Sequence, residues 1–149
     1  MHQKALQYIG IKYTWWNEGD QIGLDVPFYV TDKVPSMSEI KAKGINCAGL
    51  FNLAYVETGH KIPEIKYKGG TFAWFEYYRH KLQMINSETQ FQSDDILFRE
   101  YKNPEDQGHI AIVINSFCVI HAIPGEGVVI TSINKVRTYM THILYSLDL

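Results

Sequence analysis

Gly44-Ile45-Asn46-Cys47-Ala48-Gly49-Leu50-Phe51 reads as a tight loop running directly into a helix that starts at the cysteine. Gly44 supplies the backbone freedom for the turn. Asn46 is a favoured N-cap, because its side-chain oxygen can accept from an early helical N–H. Leu50, Phe51, Ala54 and Tyr55 then recur at helical spacing, so one face is built to be buried. The helix is expected to end near Thr58-Gly59. A cysteine in the first turn feels the positive end of the helix dipole, which favours the thiolate and suits a nucleophile. The alternative is plain: free cysteines are among the most buried residues, and most are inert packing.

Outward from this stretch, 149 residues fit a single domain over 1–149 with one sizeable core. The net charge of -2, without a basic run, gives no sign of a nucleic-acid or anionic-membrane partner. No apolar stretch is long enough to span a bilayer. Met1-His2-Gln3-Lys4-Ala5-Leu6 lacks the apolar core of a signal peptide. The expectation is a cytoplasmic protein or one released by another route, as a phage or viral product would be. Two cysteines, Cys47 and Cys118, in different settings do not suggest a disulfide framework. Ten Tyr and three Trp hint at an aromatic-lined cleft, with core packing as the plainer explanation.

Residues 3–9 favour a short helix stopped by Gly10, and Ile11 to Trp16 form a β-prone aromatic cluster. Residues 17–38 carry Gly19, Gly23, Pro27 and Pro35 without periodicity, and read as a long ordered loop. Thr71–Leu82 is a second helical segment, with Phe72, Phe75 and Tyr78 on one face alongside Trp74. Asp95-Ile96-Leu97-Phe98 starts a strand, and Asn103 to Gly108 is a turn cluster. His109–Ile114 is a near-continuous apolar strand. A two-residue turn at Asn115-Ser116 leads it back through Phe117–Ala122 as a hairpin. Val128–Thr131 and the tail from Thr141 supply further strands. Helices first and strands last is the pattern of an α+β domain, with N-terminal helices packed on a C-terminal antiparallel sheet.

A catalytic thiol needs a base and a group that orients the base. His109 opens a strand directly after a glycine-containing turn, and His121 follows twelve residues later on the neighbouring strand. With the turn at 115–116, position 109 pairs with 122, and His121 lies one residue out of register. A small slip or a bulge would bring both onto one face. Taken singly, His109 reads as an exposed strand-end residue and His121 as a satisfied core histidine. His2, His60, His80 and His142 read as surface residues. No local histidine pair has zinc-ligand spacing, so neither metal nor cofactor is expected. Asp94-Asp95 reads as a strand-start device, and Cys118 carries no chemistry.

Several segments together resemble the NlpC family of papain-like cysteine peptidases, also called NlpC/p-sixty. The family's G-x-x-Y-x-W segment is matched by Gly10 to Trp15, and its D-C-S-G-L by Asn46-Cys47-Ala48-Gly49-Leu50. Its G-D-[LI]-[VL]-F strand corresponds to Asp94 to Phe98, its H-V-G-I to His109 to Ile112, and its third polar residue before Ala to His121-Ala122. The match runs in order from Gly10 to about Thr131. The resemblance implies Cys47 as nucleophile, His109 as base, His121 as orienter and Tyr13 as a group near the thiol that helps polarise the acyl oxygen. It implies an oxyanion site at the backbone N–H of Cys47. Trp15, Asn46, Ala48 and Gly108 are expected to border the substrate. The family's usual substrate is a bacterial cell-wall stem peptide, cut at an amide, often beside D-glutamate. Asn46 stands where the family usually has Asp, and Ala48 where it has Ser, positions that help bind the stem peptide's amine. The segment from Asn17 to Gly44 is longer than the family's usual link. Two other readings therefore stand beside peptide hydrolysis: a papain-like acyltransferase or amidase/esterase on a non-wall substrate, and an inactive module that binds a peptide.

Overall fold

The structure is a computed structural model, which describes residues 1–14, 30–100 and 108–149. Five helices and six strands occur among them: α1 (His2–Leu6), α2 (Met37–Lys43), α3 (Cys47–Glu57), α4 (Thr71–Tyr78), β1 (Gln83–Met84), β2 (Ile96–Arg99), β3 (His109–Asn115), β4 (Cys118–Ile123), β5 (Gly127–Ser132), α5 (Ile133–Val136) and β6 (His142–Leu144). The strands form one sheet in the order β1-β6-β2-β3-β4-β5, with every neighbouring pair antiparallel. The architecture is α+β, with the N-terminal helices packed on the sheet as the sequence predicts. No helix among the described residues is long and apolar enough to cross a membrane.

Strand alternation explains the continuous apolar runs, because both faces of the sheet are covered. Ile96, Phe98, Ile110, Ile112, Ile120 and Ala122 pack with Leu50, Phe51 and Ala54 of α3. Leu97, Ala111, Val113 and Val119 pack instead with Ile133 and Val136 of α5 and with Met140. Each large side chain buried this way contributes about 1.5–3 kcal/mol. The α5 face is a departure from a strictly helices-first order. Its signal was Ser132, whose side chain accepts from the Lys135 N–H and caps the short helix.

The other departures are local. The segment read as loop from 17 to 44 contains α2, which begins at a side-chain N-cap. Ser36 accepts from the Glu39 N–H, the S-x-x-E pattern of Ser36-Met37-Ser38-Glu39. Residues 17–29 of that loop and the turn residues 103–107 lie outside the described residues. The β3–β4 turn is at Ser116-Phe117, one residue later than expected. Asn115 pairs with Cys118, and its Oδ1 accepts from the N–H groups of Phe117 and Cys118. The helix expected over 71–82 stops at Tyr78.

Two glycines set where the N-terminal segment can run. Gly44 has φ +81, and a Cβ there would collide with Thr14 Oγ1 and lie 2.7 Å from the Lys12 carbonyl oxygen. Gly127 has φ +79, and a Cβ there would strike the Ile11 carbonyl. The segment is thereby pinned at both ends: Val128 N–H donates to Ile11 O, and Ile45 N–H donates to Lys12 O. Tyr13 bridges Ile45 in parallel, two residues ahead of Cys47.

Candidate active site

Cys47 is the first residue of α3, and the helix start is built as the sequence predicts. Asn46 is extended and its Oδ1 accepts from the Gly49 N–H at 2.7 Å. The thiol is buried, with 7 % of the residue exposed. Burial pushes its pKa up. Backbone N–H groups of Ile110, Ala48 and Cys47 itself act in the other direction, as does the charge of Arg99. Burial thus works against the thiolate that the helix start favours.

The contact with Ile110 places Cys47 one residue from His109, which opens β3. His109 Nε2 lies 2.8 Å from His121 Nδ1. His121 Nε2 in turn lies 2.8 Å from Thr131 Oγ1. A bulge produces this alignment. Val113 pairs with Val119 but Asn115 with Cys118, so Ile114 is an extra residue in β3. Past the bulge the register runs Ile112↔Ile120, which sets His121 beside Ala111, on the face that His109 shares. Without the extra residue, His121 would point to the opposite face. The next strand continues the file. His121 pairs with Val129, so Thr131 is its diagonal neighbour on the same face.

Both imidazoles are held neutral. Burial, then the neighbouring His121, then Arg99 push His109 down to about 3. Burial, with Lys135 as the second cause, pushes His121 down to about 4. His121 has no exposed surface, and its two ring nitrogens are both partnered, so this buried imidazole is fully satisfied. Tyr13 stands near the thiol as expected. Burial raises its phenol pKa, and the charge of an ionised Cys47 adds to that.

The remaining predicted residues divide. Asn46 is spent as the N-cap, and Ala48 is buried in the first turn of α3. Gly108 is half-buried and directly precedes His109. Trp15 lies outside the described residues. His142 is not a loose surface residue: it is half-buried, and its ring stands edge-on to Phe75 at 5.0 Å. Asp94-Asp95 is structural, as read. Asp95 is buried and accepts from the N–H groups of Gln92 and Ser146.

Three residues near the site were not found from sequence. Thr131 ends the imidazole file. Arg99 pairs directly across from His109 in the β2–β3 ladder, and its charge acts on Cys47, His109 and Tyr139. The Tyr139 ring lies 6.2 Å from that of His109. Only Thr131 had a usable signal, since a β-branched hydroxyl residue two positions past the partner of His121 follows from the correct hairpin register. Among the described residues no group of three or more His, Cys, Asp or Glu side chains could hold a metal ion.

A cysteine at the start of α3, His109 at the head of β3 and His121 on the neighbouring β4 stand together on an antiparallel sheet, and the fold is that of NlpC/p60 domains. Solved structures agree on the fold. The chain is similar to the NlpC/p60 domain of the peptidoglycan hydrolase SagA, with 23 % identity, a TM-score of 0.57, and coverage of 97 % of this chain and 94 % of that one. It is also similar to Rv1477, a hypothetical invasion protein of Mycobacterium tuberculosis, with 19 % identity, a TM-score of 0.54 and 97 % of this chain covered. A lipoprotein-like NLP/P60 family protein of Staphylococcus aureus subsp. aureus Mu50 matches at 18 % identity, with a TM-score of 0.54 and 96 % of this chain covered. The chain spans only 61 % and 39 % of the latter two. No protein-family profile and no curated relative matches the chain.

Proposed function

We propose that this chain, over residues 1–149, is a thiol hydrolase that cleaves an amide bond in a peptide. The proposed substrate class is the stem peptide of bacterial cell wall. The observation that carries the reading is the bond from His109 Nε2 to His121 Nδ1, at a strand start whose next backbone N–H lies at the sulfur of a helix-start cysteine. SagA, whose domain shares the fold, is a peptidoglycan hydrolase, and this supports the substrate class.

The chemistry follows from which nitrogen is free. His109 Nε2 is engaged by His121, so Nδ1 is the base. Cys47 Sγ attacks the carbonyl carbon, and the thiol proton passes to Nδ1. The resulting oxyanion faces N–H groups at the start of α3, with Tyr13 alongside. Collapse of the tetrahedral intermediate breaks the C–N bond, and His109 returns the proton to the departing amine. Water, deprotonated by the same nitrogen, then releases the acyl group and restores the thiol. Because burial keeps both partners neutral at rest, charge separation accompanies attack rather than preceding it.

One observation favours a second reading, an acyltransferase or amidase on a non-wall substrate. Asn46 presents no carboxylate, and its oxygen is committed to Gly49, so it offers a substrate amine no counter-charge. Incubation with muropeptides, followed by mass spectrometry of the intact protein and the products, separates the two. The expected result is a stem-peptide acyl adduct on Cys47, turnover to cleaved peptide, and loss of both in Cys47→Ala. Full hydrolysis by Cys47→Ala would sink the thiol mechanism. An adduct that forms only with a non-wall acyl donor would favour the second reading.

A further inference from the structure

The file of His109, His121 and Thr131 has two self-consistent arrangements of its protons. In one, His109 donates from Nε2–H to His121 Nδ1, and His121 donates from Nε2–H to Thr131 Oγ1. In the other every donor is reversed: Thr131 O–H donates to His121 Nε2, and His121 Nδ1–H donates to His109 Nε2. The 2.8 Å separations fit both. Their chemistry differs completely. In the reversed file the neutral His109 carries its proton on Nδ1 and has no lone pair for the thiol proton.

We propose that Thr131 is the positioning residue that sets the direction of this file, its hydroxyl oxygen accepting from His121 so that His109 Nδ1 is left as the base. The inference rests on the thiol-hydrolase reading for its functional meaning, though not for its geometry. One feature supports the direction and another the need for Thr131. The sulfur of Cys47 already faces the N–H groups of Ile110, Ala48 and Cys47, so its own proton needs an acceptor, which a lone pair on His109 Nδ1 supplies. His121 is wholly buried, so its Nε2 would cost about 1–3 kcal/mol if Thr131 did not partner it. Thr131 is half-buried on β5, opposite Val119, and reaches the ring diagonally across the β4–β5 ladder.

No proton leaves the file during the reaction. The thiol proton moves to His109 Nδ1, the Nε2–H bond to His121 persists, and His121 stays neutral. The role of Thr131 is thus to orient, and it touches neither substrate nor thiol.

The test is 15N NMR of the histidine side chains in wild type, Thr131→Val and Thr131→Ser, alongside steady-state hydrolysis. Valine keeps the size and β-branching of threonine, so β5 is expected to hold; thermal unfolding of each variant checks this. In wild type His121 should show a pyrrole-type Nε2 and a pyridine-type Nδ1. Thr131→Val, deprived of the acceptor, should move the proton to Nδ1 and lower kcat about 10–100-fold, the range for loss of an orienting outer partner. Thr131→Ser should retain the wild-type tautomer. A wild-type His121 protonated on Nδ1 overturns the proposal, and so does a folded Thr131→Val variant with unchanged tautomer and rate. If the tautomers behave as stated but Cys47→Ala still hydrolyses substrate, the thiol-hydrolase reading fails and the positioning geometry stands.

Discussion

The β2–β3 ladder carries ionisable residues at both ends, and the two ends are built on opposite principles. At one, Asp94 and Asp95 precede β2. Asp95 accepts two backbone N–H bonds, and Asp94 accepts from the backbone N–H of His2 and pairs with its ring. At the other, Arg99 faces His109 across the ladder, and among the described residues Arg99 has no carboxylate partner. The acidic end spends its charges on holding the chain. The basic end keeps a buried thiol, neutral imidazoles and a cation without a carboxylate partner among the described residues close together. A cluster whose polar atoms are all taken by backbone is structural. One that leaves reactive atoms unspent is a candidate for chemistry.

The largest effect that separates the ends is on rate. His109→Ala removes the base and is expected to lower kcat about 10²–10⁴-fold on whatever peptide substrate the mass-spectrometric assay identifies. Its fold should be retained, as judged by thermal unfolding. A variant that turns over at the wild-type rate would make the basic end as structural as the acidic one.

Next is a stability effect with a definite sign. His109 and His121 sit at about 3 and about 4 when folded, against an ordinary 6.5. Between pH 6.5 and 4 the unfolded chain therefore binds more protons than the folded one, and stability falls as the pH drops. Each imidazole costs about 1.4 kcal/mol per pH unit below 6.5. Denaturant titrations at pH 7 and pH 5 should show this loss. The loss should be smaller by about 2 kcal/mol in His121→Asn, if the ring rather than the carboxylates is responsible. Equal pH slopes in the two proteins would contradict the neutral, buried pair.

At the acidic end the expected effect is purely structural. Asp95→Ala leaves the Gln92 and Ser146 N–H groups without their acceptor and should destabilise the protein by about 1–3 kcal/mol. The rate of Cys47 alkylation by iodoacetamide should not change below the unfolding transition. Altered alkylation in a folded Asp95→Ala variant would mean the two ends are coupled.

How much of this the sequence carried follows the same division. Features set by a few adjacent residues were legible: the Asn46 cap, the Gly44 turn and the alternating strands all appear where their residues place them. The segregated α+β class followed from the order of those elements. The pieces that stayed open or were missed are those whose cause lies across the sheet. The bulge at Ile114 leaves no mark in the residue pattern, yet it decides that His109 and His121 share a face. Asn115 reads locally as a turn residue, but its side chain caps the turn after it and shifts the hairpin by one. At Cys47 a helix terminus is visible in sequence, whereas the burial that pushes the thiol pKa up is not. The N-cap at Ser36 was visible and was outweighed by the prolines and glycines before it.

Arg99 gives the smallest effect and the sharpest test of the basic end. It is half-buried, so water screens it, and a charge in that setting contributes about 0.2–1 kcal/mol. Its field nevertheless opposes a proton on His109 and favours loss of one from Cys47. Arg99→Gln removes the charge while keeping a polar side chain. It should raise the pKa of both groups and slow Cys47 alkylation at pH 7 by about 1.4- to fivefold, the factor equivalent to that energy. Because the two shifts have the same direction, His109 becomes easier to protonate while the thiol becomes harder to ionise. Raising the salt concentration should shrink the difference between wild type and variant, since screening removes the same interaction by another route. Cys118, at the hairpin turn beside Asn115, is the internal control and should be indifferent to both changes. If Arg99→Gln alters Cys118 and Cys47 alike, the effect is global. The cation at the head of β3 would then have no particular claim on the thiol.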